Sequence, residues 1–181
     1  MKIKPILIVA GEPYSIFSEI FFKSISRNKY KNPLILIASS KIFLKQMSNL
    51  KFKLPINLVS IKNTDFNKLD NKKINIIDVN FVFKKTFDKI SNKSNKYIDE
   101  CFNIAQKLLI KNKNFNLLNG PISKKNFLNN KYLGVTEYLA YKNNRKDKVA
   151  MLIYNKKLSV SPITTHLPLK DVHKHLSKKK L

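Results

Sequence analysis

Pro5-Ile6-Leu7-Ile8-Val9-Ala10 is an unbroken apolar run that stops at Gly11. A strand with one wet face alternates apolar and polar residues, whereas a strand covered on both faces is apolar throughout. The run therefore predicts a central strand of a parallel or mixed sheet. A helix is expected next: Ser15 stands where a cap belongs, and Ile16, Ile20, Phe21 and Ile25 gather on one side before Arg27 and Asn28. Residues 33–38 repeat the apolar run, with Ser39 or Ser40 as the cap of a second helix carrying Ile42, Phe43 and Met47.

Outward from this start the alternation continues. Residues 56–61 and 74–79 are further strand candidates, and 62–73 is too rich in Asn, Asp and Lys for a core element. Residues 81–95 fit neither period. Residues 97–110 form the clearest helix, because Ile98, Cys101, Phe102, Ala105, Leu108 and Leu109 fall along one face. Cys101 sits inside that stripe and reads as a small core residue. Residues 115–118 make a strand running into Asn119-Gly120-Pro121, and 150–154 with 158–162 make two late strands around Asn155-Lys156-Lys157. The expected class is α/β, a mixed, mainly parallel sheet flanked by helices. With no internal repeat and no Pro/Ser-rich linker, residues 1–181 are expected to form one unit.

The formal charge of +25 raises nucleic acid or an anionic membrane as a partner. All but Arg27 and Arg145 of the 36 basic residues are lysine, however, and the arginine fork that reads bases and phosphates is nearly missing. The charge reads as a compositional bias on permissive surface positions, with steering of phosphorylated substrates as a lesser contribution. No nucleic-acid partner is expected. One cysteine excludes an internal disulfide framework and suits a reducing cytoplasm. No apolar run approaches the roughly 18 residues a membrane span needs, so a soluble cytoplasmic protein is expected.

Three islands carry polar residues at element junctions: Asn119-Gly120-Pro121-Ile122-Ser123-Lys124, Gly134-Val135-Thr136-Glu137-Tyr138-Leu139-Ala140, and Ser161-Pro162-Ile163-Thr164-Thr165-His166-Leu167-Pro168-Leu169-Lys170. In this order and spacing they resemble the 4-hydroxythreonine-4-phosphate dehydrogenase family of pyridoxal phosphate biosynthesis, and Thr-Thr-His-hydrophobic-Pro-Leu is the specific part. Gly11-Glu12-Pro13-Tyr14-Ser15-Ile16-Phe17-Ser18-Glu19-Ile20 is similar to that family's Gly-Asp-Pro-Ala-Gly-Ile-Gly-Pro-Glu-Ile, keeping Gly11, Pro13, Ile16, Glu19 and Ile20. The resemblance implies an isocitrate/isopropylmalate dehydrogenase-like fold, with two α/β lobes about a cleft, pairing as a homodimer. Members are longer, so the chain is expected to be an N-terminal part or a shortened relative with the C-terminal part of the fold missing.

The implied reaction is NAD-dependent oxidation and decarboxylation of 4-phosphooxy-L-threonine to 3-amino-2-oxopropyl phosphate. A divalent metal (Zn, Mg or Co) assists it. By resemblance His166 is a metal ligand, Thr136 contacts substrate, and the backbone of Val135 binds where many relatives carry histidine. Lys124 is a charged cleft residue, for pairing or proton transfer, although a surface lysine is the plain alternative. Thr136 is equally placed to cap a helix. His173 and His175, two apart, diverge on a helix and read as solvated. Glu19 reads as a first-turn helix acid or a polar cleft residue. The substitutions within Gly11–Ile20 argue against close backbone approach of a ligand there. A non-catalytic member of the family and a basic nucleic-acid-binding module are the alternative readings.

Overall fold

The computed structural model describes residues 4–129, 131–145, 149–164 and 167–176. Contacts divide the chain into two compact units, Met1–Phe127 and Leu128–Leu181, at a point where the sequence carries no linker signal.

The first unit is built on a five-stranded sheet of β1 (Ile6–Val9), β2 (Leu34–Ala38), β3 (Ile56–Leu58), β4 (Ile74–Asp78) and β5 (Asn116–Asn119), in the order β3-β4-β2-β1-β5. Every pairing is parallel. Because side chains alternate along a strand, Ile8, Ala10, Leu36, Ala38, Ile74 and Ile76 share one face, where they pack with Phe21, Phe22, Phe43 and Met47. Those aromatics belong to α1 (Phe17–Arg27) and α2 (Ser40–Asn49), and Phe22 has ring neighbours in Phe43 at 4.6 Å and Phe52 at 5.4 Å. Leu7, Val9, Ile35 and Ile37 point the other way and are also fully buried. There α3 (Asn95–Lys111) contacts β1 and β2 through the stripe of Tyr97, Ile98, Cys101, Phe102, Ala105 and Leu108. Two helix-covered faces explain why the central strands are apolar throughout.

One polar residue is buried within β4. Asn75 accepts from Asn57 Nδ2 (2.9 Å) on the neighbouring strand and donates to Asp70 O (2.7 Å). Asn57 and Asn75 are register partners, so the pair fixes the alignment of β3 on β4.

The second unit holds α4 (Val135–Lys142), α5 (Val172–His175) and one antiparallel bridge, Ile153 to Val160. The two late strands expected over 150–162 reduce to that bridge, closed by Ile153 N–H to Val160 O (2.8 Å) and Val160 N–H to Ile153 O (2.9 Å). The five-stranded sheet has no antiparallel member, so the mixed character expected of it is absent. A two-stranded ribbon without a sheet to lie on forms few ladder bonds. Among the described residues no helix is long and apolar enough to cross a membrane.

Candidate functional site

In an open α/β sheet, ligands bind outside the carboxyl ends of the strands, where connections leave in opposite directions. Here the chain leaves β1 for β2 on one side, and later returns through α3 to place β5 on the other. The switch point therefore lies between β1 and β5, where Gly11 meets Gly120. Gly11 has a positive φ of 76°, and a Cβ on it would lie 2.3 Å from Pro121 O. A Cβ on Gly120 would lie 2.2 Å from Ala10 O. Glu12 N–H donates to Pro121 O (2.8 Å) and Gly120 N–H to Val9 O (2.7 Å). Glycine is required at both positions, but for contact with the chain's own backbone.

Glu12 is the residue that the sequence reading passed over. It is 1% exposed, and its Oε2 lies 2.7 Å from Ser94 Oγ, just before α3. Ser94 Oγ also lies 3.0 Å from Ser91 O. A hydroxyl has one proton, so Ser94 divides its donation between Glu12 Oε2 and Ser91 O. Burial raises the Glu12 pKa above its ordinary value, opposed by the Ser94 hydroxyl and a backbone N–H of Tyr14. Glu12 Oε1 and Ser39 Oγ, both buried without a partner, line one crevice of about 10 Å³ with Gln46 and Tyr97. That volume is close to the smallest that holds one water. An acid between a glycine and a proline directly after a buried strand was the available signal.

Around this crevice the carboxyl edge is braced by tertiary contacts. Ser39 N–H donates to Tyr97 Oη (3.0 Å), and Ser40 N–H to Asp78 Oδ1 (2.7 Å), at the start of α2. Gln46 Nε2 donates to Pro13 O (2.7 Å). Neither serine caps α2 with its side chain; Asp78, at the end of β4, supplies the acceptor instead. Likewise Ile16 is the first cap position of α1, while Ser15 Oγ accepts from Phe17 N–H at 3.3 Å. A wider cleft of about 330 Å³ opens nearby between Asn80, Phe81 and the start of α3, with Lys93, Lys96 and Glu100 on its walls. Two cations at a helix N-terminus favour an anion there.

The sequence candidates fall as follows. Lys124 is exposed at the head of the π-helical turn Lys124–Leu128, and Ser123 Oγ holds that turn by accepting from Asn126 N–H (3.1 Å). Asn126 O accepts from Asn95 Nδ2 (2.8 Å), which fastens the turn to the head of α3. Val135 and Thr136 belong to the second unit as the first two residues of α4, both partly buried. Gly134 occupies the cap, so the capping role does not fall to Thr136. His166 lies outside the described residues. His173 and His175 are exposed on α5. Glu19 pairs with Lys23 one turn along α1. Cys101 is fully buried and its thiol is pushed up to about 12, chiefly by burial, which makes it a core residue. Among the described residues no group of three or more His, Cys, Asp or Glu is placed to hold a metal.

Known proteins resemble this chain in sequence and in fold. The chain is 32% identical over 176 residues to a 4-hydroxythreonine-4-phosphate dehydrogenase of Sulfurihydrogenibium sp. (strain YO3AOP1), covering 96% of this chain and 53% of the relative. A second relative of that name, from Aquifex aeolicus (strain VF5), is 46% identical over 50 residues, 28% of this chain and 15% of its own. The chain thus spans about half the length of the first relative. Two solved structures of the same enzyme have this fold. That from Burkholderia phymatum matches with a TM-score of 0.81 at 19% identity, and that from Klebsiella pneumoniae with 0.80 at 22%, each over 98% of this chain and 55% of its own. The family model described as Pyridoxal phosphate biosynthetic protein PdxA matches residues 29–181, and the chain belongs to that family.

Proposed function

We propose that the chain serves NAD-dependent oxidation and decarboxylation of 4-phosphooxy-L-threonine to 3-amino-2-oxopropyl phosphate, in the cytoplasm and as a homodimer. The observation that carries this reading is the 32% identity over 96% of the chain to a relative named for that substrate. The carboxyl-edge cleft with Lys93 and Lys96 suits a phosphorylated substrate. Thr136 and the Val135 backbone bind substrate at the head of α4, where unpaired N–H groups favour an anion. Lys124 offers a further charge beside the switch point. His166 is one ligand of a divalent metal whose other ligands are not among the described residues.

The test is NADH formation from 4-phosphooxy-L-threonine by the protein at its natural length, with Zn²⁺, Mg²⁺ or Co²⁺ supplied in turn. Turnover with at least one metal is expected, and none with any of them overturns the reading. In the active protein Thr136→Val should lower kcat/KM at least about tenfold with the melting temperature nearly unchanged, since a hydrogen bond to a charged group contributes ~1.5–3 kcal/mol. A fall in melting temperature with unaltered kinetics would make Thr136 a structural residue. A second reading is a family member that binds the phosphorylated substrate without turning it over, and the lysine-lined cleft of Lys93 and Lys96, which attracts an anion unaided, suits it. Saturable binding of 4-phosphooxy-L-threonine with no NADH formed would select it.

A further inference from the structure

A second cavity of the first unit lies at the opposite edge of the sheet, beside the amino ends of β2 and β4. It encloses about 380 Å³, within the size range of small-molecule pockets. Phe21 and Ile25 from α1, with Leu34 and Ile74 at the strand starts, make an apolar floor. Lys29, Lys72 and Lys73 stand on the rim. Lys72 approaches Asp70 only at 3.8 Å with both side chains exposed, and among the described residues no ion pair engages Lys29 or Lys73.

The walls are built, not incidental. Asn71 accepts from Leu34 N–H (2.8 Å) and donates to Tyr30 O (2.8 Å) and Asn32 O (2.7 Å). One side chain thereby ties the turn before β2 to the turn before β4. Tyr30 Oη lies 2.6 Å from Ser24 Oγ, which fastens the same turn to α1. Neither turn must order itself on binding, so the entropic cost of closing around a ligand is already met by the fold.

We infer that this pocket binds a small amphipathic anion, an apolar body carrying one phosphate or carboxylate, with the body on the Phe21–Leu34 floor and the charge among Lys29, Lys72 and Lys73. An apolar ligand would leave the rim lysines without a counter-charge from the ligand, and a bare anion would leave the floor wet. Only a molecule with both parts complements the whole surface. The site is separate from the carboxyl edge, so its test does not depend on dehydrogenase activity.

Titration of the protein with phenyl phosphate, benzoate, inorganic phosphate and phenol, followed by amide chemical shifts, reads the proposal directly. Saturable shifts confined to residues 28–34 and 71–74 are expected with phenyl phosphate or benzoate, and the stronger of the two tells which anion is preferred. Replacing Lys72 and Lys73 together by alanine should weaken that binding about tenfold without lowering the melting temperature, because both side chains are exposed. Shifts scattered over the lysine surface, inorganic phosphate matching phenyl phosphate, or undiminished binding by the double variant would each overturn it.

Discussion

Glu12 concentrates the residue-scale physics. Its carboxyl is buried at the switch point, shares one hydroxyl proton with Ser91 O through Ser94, and has its pKa raised by burial. A carboxyl whose pKa is raised by folding stabilises the fold fully below its unfolded pKa, and that contribution is lost as pH rises through the raised value. Melting temperature should therefore decline as pH climbs from the ordinary glutamate range. Glu12→Gln keeps the shape and removes the titration, so the variant should gain on the native protein as pH rises through that window. Parallel melting curves against pH would show that Glu12 is already ionised at the bottom of the window. Cys101 marks the opposite outcome: a buried group whose sequence context on the α3 stripe announced its core role.

At the scale of elements, periodicity located the helices while tertiary contacts finished their ends. The 97–110 stripe became α3, with five of its six residues fully buried and Leu109 partly so. The start of α2 is different, since its Ser40 N–H is satisfied by Asp78 from β4, 38 residues away. Asp78→Ala should cost about 0.5–2 kcal/mol, the range for loss of a helix-capping acceptor, and show as a lower melting temperature. Ser40→Ala keeps the backbone N–H and should cost less. An Asp78→Ala protein as stable as the native one would mean that water replaces the carboxylate. The 150–162 segment carries strand-like composition yet forms one bridge, because ladder bonds depend on a neighbouring strand that composition does not supply.

For the molecule as a whole, the first unit has its own buried core on both sheet faces, and the second exposes much of its apolar surface. Leu152, Tyr154 and Leu158, at 64%, 72% and 69% exposure, flank the bridge. Exposed apolar side chains gathered on one hairpin are a physical reason for the proposed pairing with a second copy. Sedimentation at rising concentration should then show a dimer, and replacing Leu152, Tyr154 and Leu158 by lysine should shift it to monomer with the first unit still folded. A monomer at every concentration would remove the homodimer from the proposal.

The sequence by itself determined the class of fold and the positions of its main elements, because 5–10 and 33–38 are apolar enough to demand two covered faces. It also determined the family, through motifs long enough to be specific. The tertiary structure decided that the strands of the sheet are all parallel, that β5 returns beside β1, and that Gly11 and Gly120 must be glycines because they lie against Pro121 O and Ala10 O. It alone assembled Glu12 with Ser94, 82 positions apart, and Asn71 with Tyr30 and Leu34. Local propensity acts over a few residues, whereas these contacts join segments that only the crossover connections bring together, so no window of sequence contains them.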